Sequence, residues 1–512
     1  MTIVIFSTLK PNKYPIFIGM EKNNNPAELR RIGFITIAAI IALSTTVCSN
    51  PTNSSPAPIR TVSISPSPFA AVHTELAAVY GGADDVSYQW KKDGEDIDDA
   101  TGEKYTPIAV GAYTVTVSTA GNKSITSEPV MAEGPGSGTV GDPTRVYTGA
   151  DLLKVNTDNT TRGAHYLQRN DITLNGEWMP IGTIINNFTG TYDGGGNTIN
   201  GLTITANTSD QGLFGYIHTD SVVRNIRLSG ANVSGHSYIG GVVGTNYGMV
   251  QGCTVINSTI SGEGNTGGVV GTNFGIVQGC TVTNSTVSGV TRAGGVAGTN
   301  AEGMVQGCTV TNSTVSSQNI AGGVAGQNND MIQKCYVSAA VIVIGNGIAG
   351  GVAGFNYTPA SRVLNCYAAG SVESPGNAGG VVGDNGDANS LVQYCYAVNS
   401  VKSSNAGGIC GSPNGSVINC VALNTGITGT DPNTARVIYN GTDIKDFNNY
   451  ANKDMLVNNK KVTSTDKTGR HGADITETQW NSAAWWTDAD NWTTAAWDTT
   501  IWNISGKLPT LR

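Results

Sequence analysis

Between residues 212 and 428 the order of apolar, glycine and polar positions recurs about every 28 residues. The pattern Gly-Gly-Val-Val/Ala-Gly stands at 240–244, 267–271, 294–298, 322–326, 350–354 and 379–383, at spacings of 27, 27, 28, 28 and 29, with variants at 212–215 and 407–411. A second column is Cys253, Cys280, Cys308, Cys335, Cys366, Cys395 and Cys420, which Ile226 precedes and Asn449 follows. A third is Asn246, Asn273, Asn300, Asn328, Asn356, Asn385 and Asn414. A fourth is Val233, Ile260, Val287, Val315, Val341 or Val343, Val372, Val401 and Ile427. Each period then holds three short strands: the glycine pattern, a segment like Val250-Gln-Gly-Cys-Thr-Val255, and one like Ser258-Thr-Ile-Ser261. Such strands find no partner within their own period. Each must pair with its equivalent in the next rung, about 4.8 Å along an axis. The expected fold is all-β, with residues 145–429 forming a right-handed parallel β-helix. A β-propeller needs about 40–50 residues per blade, and the β-branched, glycine-rich composition excludes amphipathic helical repeats. Strand alternation points each Cys and the Val or Ala two residues on inward, where Cys acts as a small hydrophobe. Stacked Asn amides form a hydrogen-bonded ladder, and glycine permits positive φ at corners.

Residues 59–132 alternate differently. Thr61-Val-Ser-Ile-Ser65, Leu76-Ala-Ala-Val-Tyr80, Val86-Ser-Tyr-Gln-Trp90, Lys104-Tyr-Thr106, Gly111-Ala-Tyr-Thr-Val115-Thr-Val117 and the stretch 125–130 read as short strands, with Asp93-Gly94 as a turn. The set Trp90, Gly111-x-Tyr113-x-Val115 resembles an immunoglobulin-like domain. The resemblance implies Trp90 as the core Trp and Tyr113 as the tyrosine-corner residue. Val115 stands where many members have a disulfide Cys, so apolar packing must hold this sandwich. It serves as a spacer or as a ligand-binding module. Residues 133–144 are a Gly/Pro linker. Residues 430–512 change composition and gather Trp480, Trp485, Trp486, Trp492, Trp497 and Trp502. They are expected to add the last rung and a cap over its open strand edge.

At the other end, Arg30 and Arg31 precede an apolar run over 32–43 and then Cys48. This reads as a secretory signal within 1–48, for which Met20 is the better start. Cys48 resembles a bacterial lipoprotein cleavage site, although Thr45 and Val47 depart from its usual Leu and small residue. Residues 49–58 form a Ser/Pro/Asn tether. The expectation is an exported protein at a bacterial outer membrane or cell surface, held by a lipid on Cys48. Net charge is −8, 13% of residues are charged, and no basic run is present, so nucleic acid is not an expected partner.

The repeats beginning at Gly212-Leu-Phe-Gly215 resemble the GLUG-motif repeats of bacterial surface proteins. Trp178-Met-Pro-Ile-Gly182 and Tyr192-Asp-Gly-Gly-Gly-Asn-Thr-Ile199 look like their opening segment, and Asn448-Asn-Tyr-Ala451 and Gly506-Lys-Leu-Pro509 like their ending. The resemblance implies a surface β-helix and no single activity. Some such proteins are immunoglobulin A-cleaving metallopeptidases with a His-Glu-x-x-His site. Here His73, His165, His218, His236 and His471 form no such motif.

No cofactor or metal site is expected. Cysteines in line at rung spacing are too far apart for disulfides and do not converge as zinc ligands must. A polysaccharide lyase or hydrolase on this scaffold is the alternative function. It would need converging carboxylates, and Glu263, Glu302, Asp330, Glu373, Asp384 and Asp387 form no column. The position after each Cys runs Thr254, Thr281, Thr309, Tyr336, Tyr367, Tyr396, Val421, with Tyr450 in register. Tyr336, Tyr367 and Tyr396 are therefore the expected binding face of a non-catalytic adhesin for a host or matrix protein or a glycan. The other reading of this stripe is plain stacking beneath the Trp-rich segment.

Overall fold

The computed structural model describes residues 61–512 apart from 83–84, 121–122, 441–447 and 493–494. The signal region, Cys48 and the tether lie outside the described residues.

Residues 61–133 make two sheets. Val62–Ser65 and Lys104–Tyr105 flank Leu76–Tyr80, all antiparallel. The second sheet centres on Gly111–Thr119, which pairs antiparallel with Val86–Lys92, Ser124–Thr126 and Val130–Glu133. Trp90 is buried between the sheets and donates from Nε1 to the Gly102 carbonyl at 2.9 Å. Tyr113 is buried beside it, and its hydroxyl donates to the Ala109 carbonyl at 2.9 Å. A buried indole and phenol each need a partner, and both find one in the nearby backbone. This module is fastened to the solenoid. Arg169 donates to both carboxylate oxygens of Glu133, at 2.7 and 2.6 Å, and lies 3.6 Å over the Phe69 ring. Asn170 exchanges two hydrogen bonds with the Phe69 backbone.

The main body is a parallel β-solenoid of about ten turns. Its rungs stack into long sheets of 11, 12, 16 and 7 strands, parallel except for the antiparallel pair Leu456–Val457 and Lys460–Lys461. We name four faces by their residues. In one rung the glutamine face is Met249–Gln251, the cysteine face Thr254–Ile256, the serine face Thr259–Gly262 with Asn265–Gly267, and the glycine face Val270–Asn273. The strand count per rung thus exceeds the expected three. The segment Val250–Val255 splits because the residue before each Cys adopts a left-handed backbone. That position holds Gly252, Gly279, Gly307, Lys334, Asn365, Tyr394 and Asn419. A left-handed residue turns the chain and swings the next side chain into the core. The glycine pattern also breaks between Gly267 and Val270, so Gly267-Gly268 rounds a corner rather than lying in one strand.

The inward columns follow the sequence. Cys253 through Cys420, the fourth-column aliphatics and the Val or Ala residues beside them are fully enclosed. Val343 rather than Val341 is in register with Val315. Asn449 ends the thiol column by accepting from the Cys420 N–H at 2.9 Å. The amide ladder runs Asn246→Asn273→Asn300→Asn328→Asn356→Asn385 with donor–acceptor distances of 2.6, 2.8, 2.8, 2.8 and 2.8 Å. Asn414 is not its next member. Asn385 is in register with Pro413, so Asn414 is displaced by one position and exposed. A second ladder escaped the sequence reading: Ser258, Ser285 and Ser313 each accept a backbone N–H from the previous rung, at 3.0–3.1 Å.

The solenoid also outruns residue 429. Tyr450–Asn452 and Ala473–Ile475 add two strands to the cysteine face. Inside this end, Arg436 is fully buried and meets Asp474 at 2.7 Å.

Candidate functional site

The expected tyrosine face forms but is not open. Tyr336, Tyr367 and Tyr396 stack at 4.3 and 4.8 Å. Face-to-face stacking leaves ring edges, not faces, toward solvent. The Trp-rich segment then lies along this side of the solenoid instead of capping only its end. Tyr396 keeps 2% of its surface exposed, beneath Trp486, Trp497 and Trp502. Its hydroxyl donates to the Pro509 carbonyl at 2.6 Å, and burial pushes its pKa well up. Tyr367 sits against Trp502, and Tyr450 against Trp485 and Trp492. The physical reason is the change of outward residues. Thr254, Thr281 and Thr309 tolerate water, whereas Tyr367, Tyr396, Val421 and Tyr450 offer apolar area that the tryptophans bury.

The eight described cysteines are buried and none is disulfide-bonded. Burial and the neighbouring thiols raise the Cys366 pKa well above its ordinary value, so it is a protonated core group rather than a nucleophile. Of the carboxylates weighed for catalysis, Glu302 and Asp330 share one corner in adjacent rungs, where burial and then Glu302 raise the Asp330 pKa, while Glu263 and Glu373 lie on the serine side. Asp384 is the most perturbed, with burial pushing its pKa up to about 6.

The serine face carries the feature that sequence reasoning missed. One outward column runs Ser261, Ser288, Ser316, Ile344, Glu373, Lys402, Thr428 in unbroken register. Hollows along this column make it a trough. Two hollows of about 360 and 440 Å³ lie along it and share Ile344. Seven rungs at about 4.8 Å give a run of roughly 29 Å. Ser261, Ser288 and Ser316 are half-buried, and among the described residues no group bonds their hydroxyls. Val290 and Pro375 add apolar steps, and Glu373 and Lys402 are the charged groups lining the two hollows. The alternation of Ser or Thr around the buried Val column was the available signal. The concavity was not readable, because a column of outward residues does not show whether the surface they form is flat or hollow.

A further cleft of about 610 Å³ lies near the start of the solenoid, between residues 177–184 and 206–211. It sits apart from the repeats that dominate the sequence.

No family model matches the chain. Over 136 residues it is 32% identical to Halomucin of Haloquadratum walsbyi, covering 23% of this chain and 2% of that protein. Over 131 residues it is 31% identical to a protein described as a Gly-rich membrane protein of Evansella cellulosilytica, covering 23% of this chain and 15% of that one. The chain thus spans a small part of either relative. Among solved structures, an IgA1 protease aligns over 72% of this chain and 28% of its own, at a TM-score of 0.32 and 12% identity. The β-helix and the relatives' names are compatible with a cell-surface protein.

Proposed function

We propose that this chain is a non-catalytic cell-surface protein of the GLUG-repeat type, and that it binds a linear, uncharged glycan along the serine face. The observation that supports this reading most is the hydroxyl row in its trough. A hydroxyl both donates and accepts, so spaced serines suit a polyhydroxyl chain running along the axis. An extended peptide is the poorer occupant. It gains most by pairing with a free strand edge, and the backbone here is already paired rung to rung. Export and a lipid on Cys48 belong to the same reading, and the second relative's description supports a membrane or surface setting.

The enzyme alternative rests on one observation: Glu177 and Asp210 share the cleft near the start of the solenoid. Against it, Glu177 is engaged by the Thr205 backbone N–H and hydroxyl. The test is an array of neutral and acidic oligosaccharides and matrix proteins, probed with the wild type and with Ser288→Trp/Ser316→Trp, which fills the trough. The reading expects binding to neutral linear glycans and at least tenfold weaker binding by the variant. Equal binding by both proteins would remove the trough from the account. Release of new reducing ends from a bound glycan would replace binding with catalysis.

A further inference from the structure

We propose that the cleft between residues 177–184 and 206–211 receives a lysine or arginine side chain from a partner polypeptide. Its walls differ in kind. Trp178, Met179, Pro180 and Ile184 form an apolar side, while Glu177 and Asp210 contribute carboxylates, and no Lys, Arg or His lines the space. Asp210 is set in place by the backbone. Its φ is +57°, and its carboxylate accepts from the Thr245 hydroxyl. Burial of this carboxylate raises its pKa, which is the response of an anion short of a counter-charge. A lysine or arginine meets both walls at once, its alkyl stem on the apolar side and its cation at the acidic end.

The rim identifies the occupant as a polypeptide rather than a small amine. Met179, Ile184 and Ile185 are 74%, 68% and 86% exposed. A free amine inside the cleft would leave them in water, whereas a chain carrying apolar residues beside its cation would cover them. The cleft shares no residue with the serine-face trough, so this inference stands independently of the glycan reading.

The test uses the full chain and fluorescent heptapeptides alternating Leu with Lys, Arg, Ser or Glu, followed by anisotropy, with free butylamine as competitor. The Lys and Arg peptides should bind, the Ser and Glu peptides should not, and butylamine should compete only weakly. Asp210→Asn retains an acceptor for Thr245 and should weaken binding at least tenfold. Met179→Ser/Ile184→Ser changes only rim residues and should also weaken it. The Ser288→Trp/Ser316→Trp protein should bind the peptides as the wild type does. Equal binding of the Ser peptide, unchanged affinity in Asp210→Asn, no binding of any peptide, or butylamine as effective as the Lys peptide would each overturn the proposal.

Discussion

Removing one amide from the asparagine ladder tests whether the solenoid depends on it. Asn300 is buried and accepts from Asn273 at 2.8 Å while donating to Asn328 at 2.8 Å and to the Met331 carbonyl at 3.2 Å. In Asn300→Ala, the Asn328 Oδ1 and the Met331 carbonyl lose a donor. Asn273 is less affected, since it still reaches the Gly275 and Met304 carbonyls at 3.1 and 3.4 Å. Each buried group left without a partner costs about 1–3 kcal/mol, and the small void adds about 1 kcal/mol. Two such groups and the void together give an expected loss of about 3–7 kcal/mol. Rungs of a solenoid unfold semi-independently, so the assay is native-state hydrogen exchange resolved by segment. Exchange in Ala297–Asn300 and Ala325–Asn328 should quicken at least about 100-fold, since 1.4 kcal/mol is about tenfold. Asn414→Ala is the matched control. It lies outside the ladder and should cost under about 0.5 kcal/mol. A loss below about 1 kcal/mol at Asn300, or equal losses at the two sites, would refute the ladder argument.

Other consequences are open to measurement. Lys334 is exposed at a left-handed corner, φ +54°, where glycine carries no steric penalty; Lys334→Gly should stabilise by about 0.5–1 kcal/mol in a denaturant melt, and destabilisation would contradict the corner geometry. Asp384 has a folded pKa of about 6, raised by burial above the ordinary 3.8. Its carboxylate thus opposes folding above pH 6, and that penalty fades as pH falls from 6 toward 4; Asp384→Asn should stabilise at pH 7 by about 1–2 kcal/mol and flatten this pH dependence. The buried thiols should react with a thiol reagent only on unfolding, when all eight described cysteines become titratable without reductant; fewer would mean disulfides. Asp474→Ala strips buried Arg436 of its carboxylate and should cost about 3–5 kcal/mol at the C-terminal end of the solenoid.

Much of this fold was legible because identical residues recur at equal rungs. A Cys, Val or Asn column is a direct image of parallel pairing, and even Ile226 and Asn449 could be placed as its ends. The corners were hidden for the opposite reason. Gly252, Lys334, Asn365 and Tyr394 share a left-handed backbone but no residue type, so nothing in the letters marks where the strand divides. The covered tyrosines depended on contacts about a hundred residues apart, such as the Tyr394 hydroxyl with the Ala495 carbonyl. The change from Thr309 to Tyr336 was visible, but a stacking aromatic reads alike whether water or tryptophan lies beyond it. The trough was hardest to foresee, because a row of serines announces a surface and says nothing of whether that surface is hollow.

The most direct test of the account is hydroxyl-radical footprinting of the full chain, with and without the neutral oligosaccharide that binds it best. Val290 and Ile344 are partly exposed in the trough, while Tyr357 is exposed outside it. Bound glycan should protect Val290 and Ile344 and leave the oxidation of Tyr357 unchanged. Protection of Tyr357 or of the Trp-rich segment, with Val290 and Ile344 oxidised as before, would contradict it.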